Sequence, residues 1–416
     1  MSRPHIDLAI IGSGPAGLAA AVAAKQKGIK DVVVFERDER PGGILPQCIH
    51  NGFGLEKFRE ELTGPEYARR YIRMAQENHV DIELDTMVLE LDKSRTLTAV
   101  SEGRGLRAYQ CKSIILAMGC RERPRGAIGI PGTRPAGIFT AGQAQRLINI
   151  EGYMPGQRVV ILGSGDIGMI MARRLTLEGA EVKAVVEILP YTSGLIRNEV
   201  QCLRDFNIPL LLNHTVAEIH GENRVQGVTI AKVDSSWNPV QGTEERVECD
   251  TLLLSVGLIP ENELSKMAGI SIDPKTGGPY VNELLETNIE GIFSCGNVLH
   301  VNDLVDNVST EGEIAAEGAY VRNRGKRPEK TRTFTLEGDQ SIAQIVPQGI
   351  SGGRSRTIYL RLSKPMDKMT LRIGDVFQKK YPYGRPSEMI RLKIPKKTLD
   401  EVDPSVKILK IICEER

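Results

Sequence analysis

Two sets of three glycines repeat one spacing: Gly12, Gly14 and Gly17, then Gly163, Gly165 and Gly168. Each set is followed by an acid 19 residues beyond its last glycine, Glu36 for the first and Glu187 for the second. That combination suits the binding of a dinucleotide. The first glycine permits a tight turn, the second lets backbone approach a pyrophosphate, and the third lets a helix pack against the preceding strand. The start of that helix offers phosphates its unpaired N–H groups and positive dipole end. The acid accepts hydrogen bonds from a ribose hydroxyl pair. Ser13, Pro15 and Ala16 share the first turn, Asp166 and Ile167 share the second, and Arg37 directly follows the first acid. One such turn is weak evidence. Two with the same acid offset are strong, and they imply one resident FAD and one exchanging NAD(H). No arginine adjoins Glu187 in "EILP", so a 2′-phosphate would be repelled and NADH is favoured over NADPH.

A second chemistry is offered by "GGILPQCIHNGFG", residues 42–54, where Cys48 and His50 are candidate redox and acid–base groups. Cys48 has no partner thiol nearby. A free cysteine more often packs as a small apolar residue, and a loop histidine is more often a satisfied polar group. Nothing in the chain has the spacing of a metal site.

The elements that must hold these residues are legible. "IDLAII" and "DVVVF" read as buried strands around the first turn, "RVVIL" and "EVKAVVE" around the second, with a helix opening at about Pro15 and another after the second turn. The 416 residues, 41% hydrophobic and 26% charged, suffice for two or three cores. The apolar run Leu8–Ala24 is broken by glycines and Pro15, so neither a signal segment nor a membrane helix is expected. Seven cysteines without a CxxC pair suggest reduced thiols and a cytoplasmic protein. Residues 326–416 carry 20 Lys/Arg against 11 Asp/Glu, a net +9, whereas residues 1–325 carry 34 against 42, a net −8. Basic residues are not interleaved with stacking aromatics, which argues against nucleic acid as a partner.

The order of motifs resembles the pyridine nucleotide–disulfide oxidoreductase superfamily over about residues 5–325. "SIILAMG" is similar to the family's strand between its FAD and NAD domains, which adds Ala117, Met118 and Gly119 to the candidate cofactor residues. "TLLLSVGLIPENEL" resembles the return strand. "TNIEGIFSCGN" resembles the second FAD fingerprint, T-x-x-x-x-h-F-A-x-G-D, and implies that Gly296 and Asn297 hold pyrophosphate and ribitol. The fingerprint ends in Asp; Asn297 keeps an acceptor oxygen and adds two donors. A helix capped near Asp306 or Asn307 should follow, and the resemblance implies that the Val308–Ser309–Thr310 backbone faces the flavin. Gly43 joins the FAD-binding set. The family's two dithiol arrangements are both missing: Leu45 and His50 occupy one pair of positions, and no CxxC precedes the second glycine turn.

The phrases "GGILPQCIHNGFG" and "GIFTAGQAQ" resemble a narrower group, the FAD- and NAD-binding alpha-type subunits of heteromeric dehydrogenases. These include opine oxidases, hydrogen cyanide synthase, sarcosine oxidase, dye-linked proline dehydrogenase and a flavoprotein accompanying bacterial glycerol-3-phosphate dehydrogenases. The resemblance implies hydride exchange between NADH and FAD, and electron exchange with a second flavoprotein subunit that oxidises a small substrate. Two alternatives stay open: a single-cysteine NADH peroxidase or coenzyme A disulfide reductase using Cys48, and a non-catalytic nucleotide-holding scaffold.

The expected architecture is α/β, with two Rossmann-like dinucleotide-binding domains and a small C-terminal all-β domain. Residues 1–118 and 288–325 form the FAD domain and 119–287 the NAD domain. "NRGKRPEKTRTF", Asn323–Phe334, reads as a charged linker, and 330–416 as short strands separated by turns, a candidate surface for subunit contact.

Overall fold

A computed structural model describes residues 4–325 and 332–415. The middle of the charged linker, residues 326–331, lies outside the described residues. Two compact units are formed, one by the chain up to Cys120 and from Pro260 onward, the other by Arg121–Ile259.

The first unit is built on a seven-stranded sheet in the order Asp81–Glu83, Val32–Phe35, His5–Ile11, Gly105–Leu116, Thr96–Ser101, Thr86–Leu91, with Ile292–Ser294 also paired to Gly105–Leu116. Val32–Phe35 is buried along its whole length because both faces are covered. Alternate residues serve the two sides. Leu8, Ile10, Val32 and Val34 face the helices Pro15–Gln26 and Val305–Asn323, while Ala9, Ile11, Val33 and Phe35 meet Val88, Leu97, Ala268 and Ile270. The sheet is not wholly parallel. Thr86–Leu91, Thr96–Ser101 and Gly105–Leu116 pair antiparallel, because connections of four and three residues are too short for a crossover.

Residues 260–287, expected in the NAD domain, lie in the first unit. The physical tie is buried: Asn262 Nδ2 donates to the carbonyls of Gly277 (2.9 Å) and Val298 (2.8 Å), and Ala268 and Ile270 complete the sheet's outer core.

In the second unit a parallel sheet runs Ile138–Thr140, Thr251–Leu254, Arg158–Leu162, Glu181–Glu187, Leu210–Leu212. The helix Asp166–Leu177 covers one side through Met169, Ala172 and Leu175. An antiparallel layer of His214–His220, Gly227–Lys232 and Glu245–Val247 covers the other.

The C-terminal segment has its own core, including Phe334, Ile358, Leu371 and Ile411. Its larger sheet runs Gly349–Ser351, Thr333–Gly338, Ile408–Glu415, Met369–Ile373, Phe377–Lys380, and a smaller one Ile342–Val346, Arg356–Leu362, Ile390–Ile394. The entering strand therefore pairs parallel with the last one. This segment is anchored to the rest of its unit. Gln348 accepts from Val281 N (3.1 Å) and donates to Asp273 (2.8 Å), and Val346 joins the same apolar core as Val281 and Leu285. Asp303 receives the Arg361 guanidinium on one oxygen and Met389 N (2.7 Å) on the other. Among the described residues no helix is long and apolar enough to cross a membrane.

Candidate functional site

Each glycine of the first turn meets a different constraint. At Gly12, with φ +100°, a Cβ would lie 2.5 Å from the Ala117 carbonyl oxygen. At Gly17 it would lie 1.9 Å from the Gly12 oxygen, so the helix could not pack against the turn. At Gly14 it would meet nothing within 4 Å. The chain's own packing does not require glycine there, whereas close approach by a phosphate does. Pro15 and Ala16 open the helix, which carries no side-chain cap, so its first N–H groups are not taken by a side chain.

The acids sit where the offset places them. Glu36 is 5% exposed; its Oε2 accepts from Ser13 N (2.8 Å) and Ser13 Oγ (2.6 Å), and its Oε1 from Asp38 N (3.0 Å). Glu187, 4% exposed, repeats this with Ser164 N (2.9 Å), Ser164 Oγ (2.6 Å) and Leu189 N (3.0 Å), and adds Ser193 Oγ at 3.0 Å. A carboxylate has about four lone-pair positions, so Oε1 of each acid can take a further donor. Ser164 and Ser193 were missed in the sequence. The signal for the first was present, since both turns read Gly-Ser-Gly.

Four separate stretches converge in the first unit. Gly43 (φ +58°) abuts Gly14, where a Cβ on Gly43 would lie 2.9 Å from the Gly14 Cα. Ala117 approaches Gly12, Gly296 (φ +73°) faces Ala16, and Asn297 Nδ2 lies 3.6 Å from Cys120 Sγ, one residue past Met118 and Gly119. Arg37 is exposed at the rim. At the second turn Gly163 (φ +97°) and Gly168 are held against Ser255, whose Oγ accepts from Gly168 N at 3.1 Å. Gly165 also faces Ser255, and Ile167 is half-buried. Asp166 Oδ1 accepts from Leu195 N (2.8 Å) and Asn198 Nδ2 (2.7 Å).

Two placements differ from those expected. The helix begins at Val305 with Leu304 as its cap residue, and no side chain caps it. Asp306 points elsewhere, accepting Lys57 N at 3.0 Å; burial raises its carboxyl above the ordinary range, partly offset by the N–H groups of Lys57, Gly54 and Glu56. Val308 N is already bonded to the Leu304 carbonyl, so Val308, Ser309 and Thr310 are inside the helix and offer no spare backbone donors. The Ser309 hydroxyl meets Tyr67 OH (2.7 Å), and Thr310 Oγ1 donates to the Asp306 carbonyl (2.8 Å).

Cys48 is 8% exposed and wedged against Gly64, whose N–H donates to the Cys48 carbonyl at 2.9 Å. Its Sγ donates to the Ile44 carbonyl at 3.4 Å, and burial pushes the thiol from 9.0 up to about 12. A reactive cysteine has the opposite character, a lowered pKa and partial exposure. His50 lies partly exposed, with Nδ1 3.1 Å from the Asn51 carbonyl oxygen.

A family model described as pyridine nucleotide-disulphide oxidoreductase matches residues 6–313. The HcnB component of hydrogen cyanide synthase from Pseudomonas protegens is 26% identical over 281 residues, covering 63% of this chain and 58% of that protein. One of the opine oxidase subunits of Agrobacterium tumefaciens is 26% identical over 313 residues, covering 70% of this chain and 61% of that protein. The chain thus spans about three fifths of the length of these relatives. Among solved structures, thioredoxin reductase from T. acidophilum superposes with a TM-score of 0.64 at 23% identity, covering 76% of this chain and 98% of that one. That likeness is one of fold.

Proposed function

The chain belongs to the pyridine nucleotide-disulphide oxidoreductase family, and from that premise we propose that it is the FAD- and NADH-binding subunit of a two-flavoprotein dehydrogenase. It is an FAD-dependent oxidoreductase, and members of this family bind FAD and NAD(P)H. The observation that carries the finer reading is the state of the thiols. The family's dithiol positions hold no cysteine, and the single cysteine of that loop, Cys48, is buried with its thiol held protonated. The absence of a thiol relay supports electron exchange with another protein-bound cofactor. The same burial counts against Cys48 as a peroxidase or disulfide-reductase thiol.

The residues fit FAD at the first turn. Gly12, Gly14 and Gly17 supply the pyrophosphate approach, Glu36 the ribose acceptor, and Gly296 with Asn297 the far end of the phosphate and ribitol. When bound, FAD supplies hydride exchange with a nicotinamide and electron exchange with a further redox centre. The chain contributes position and electrostatics. Glu187 accepts a free 2′-hydroxyl and repels a 2′-phosphate, which supports NADH as the exchanging nucleotide. The two curated relatives are called subunits of larger enzymes, which supports a partner that oxidises a small substrate of amine, opine or glycerol-3-phosphate type. The basic C-terminal segment, +9 against −8 for the rest, is the proposed contact.

Anaerobic addition of NADH to the full-length protein is the test. The yellow flavin absorbance should bleach with NADH and about fivefold less readily with NADPH, the scale of about 1 kcal/mol for one unfavourable charge contact. A flavin indifferent to NADH would overturn the reading, and release of an adenine nucleotide in place of FAD on denaturation would favour the scaffold alternative.

A further inference from the structure

The fingerprint that ends in Asp elsewhere ends here in Asn297, and the surrounding side chains give a reason. Glu311, on the second turn of the helix Val305–Asn323, is fully buried, and His300 is 1% exposed. Glu311 Oε1 lies 2.6 Å from His300 Nε2, in hydrogen-bond contact, and Oε2 accepts from Gly296 N at 2.7 Å. The carboxylate therefore grips the residue immediately before Asn297. Asn302 links the two positions: its backbone N–H donates to Asn297 Oδ1 at 3.0 Å, and its Nδ2 lies 3.5 Å from Glu311 Oε2 and 3.3 Å from the His300 carbonyl oxygen. Because a backbone N–H can only donate, the atom of Asn297 facing it is the oxygen. The amide Nδ2 is thereby turned toward Cys120.

We propose that Glu311, paired with His300, is a positioning residue for the Gly296–Asn297 turn, and that its buried carboxyl group is what fixes an amide at position 297. A carboxylate at 297 would bring a second carboxyl group to the same bridging asparagine, close to Glu311. In a buried setting such a pair strongly disfavours the doubly charged state. It would also replace the Nδ2 donor with an acceptor. The amide keeps the oxygen that Asn302 N needs and leaves Nδ2 beside Cys120, with its second hydrogen available to a hydroxyl or phosphate oxygen of a bound cofactor. This inference rests on the reading that the first turn holds FAD.

The test uses the full-length protein and four forms: parent, Asn297→Asp, Glu311→Gln and the double variant. FAD dissociation is followed by absorbance, and thermal unfolding is measured after FAD is stripped. Asn297→Asp should weaken FAD binding about tenfold more with Glu311 present than with Gln at 311, the coupling expected of residues in one hydrogen-bond network. The melting temperature of the stripped protein should show the same asymmetry. Equal penalties in the two backgrounds would overturn the inference. A parent protein that holds no FAD would instead overturn the cofactor reading, and the melting temperatures would still decide the coupling. Should Glu311→Gln fail to fold, His300→Gln gives the other arm: with the histidine removed, the Asn297→Asp penalty should grow, and an unchanged penalty would count against the proposal.

Discussion

Cys48 illustrates how far a residue's chemistry depends on its surroundings. Burial holds its thiol near 12 against an ordinary 9.0. At pH 8.5 such a thiol is almost wholly protonated, whereas an exposed cysteine is partly thiolate. Iodoacetamide at that pH should therefore spare Cys48 in the native protein and label it in urea. Cys120, the one cysteine of the seven that is not buried, should be labelled first. Peptide mass mapping reads both outcomes, and rapid native labelling of Cys48 would reinstate it as a redox thiol. The sign of the linkage follows from the raised folded value. The native thiol stays protonated while the unfolded one ionises, so its contribution to stability is complete below pH 9 and is lost as pH rises toward 12.

Elements are set by close approaches as much as by propensity. The helices Pro15–Gln26 and Val305–Asn323 touch backbone to backbone: a Cβ on Gly312 would lie 2.2 Å from the Ala16 carbonyl oxygen and 3.0 Å from Ala20 N. Gly312→Ala should cost about 1–3 kcal/mol of stability in urea titration, the usual penalty of overpacking, although alanine is the better helix former. A stabilised protein would show that the helices part without cost. Gly312 illustrates what was not legible in the sequence. The turns at Gly12 and Gly163 and their acids could be read because glycine spacing and acid offset are local. The short strands of residues 330–416 could be read because alternation is local. The partners of Gly312 and Asp306 lie in distant segments, Ala16 and Ala20 for the first and Lys57 for the second, so nothing near them in sequence signals the contact. The start of that helix departs from its expected place for the same reason, because Asp306 caps a remote loop and not its own helix.

At the scale of the molecule, the C-terminal segment grips the loop that precedes the Val305–Asn323 helix. Arg361 and Asp303 are about one-seventh exposed, and Arg361 also donates to the carbonyls of Pro386 (2.7 Å) and Val301 (3.2 Å). Arg361→Met should destabilise the protein by about 3 kcal/mol, because a largely buried carboxylate loses its cation. The Asp303→Asn/Arg361→Met double variant should recover part of that loss. Denaturant titration of the three forms checks this, and equal stability of both variants would show that the pair matters little. The strand Ile292–Ser294 and the helix Val305–Asn323 complete a sheet that His5–Ile11 began almost three hundred residues earlier. On the ribosome, then, the first sheet waits with one face only partly covered, by Pro15–Gln26, until the chain past Asn323 has emerged, while residues 121–259 have everything their own core needs and can fold in the interval. The order of synthesis sets the order of assembly: the inserted unit first, the fold that brackets it afterwards.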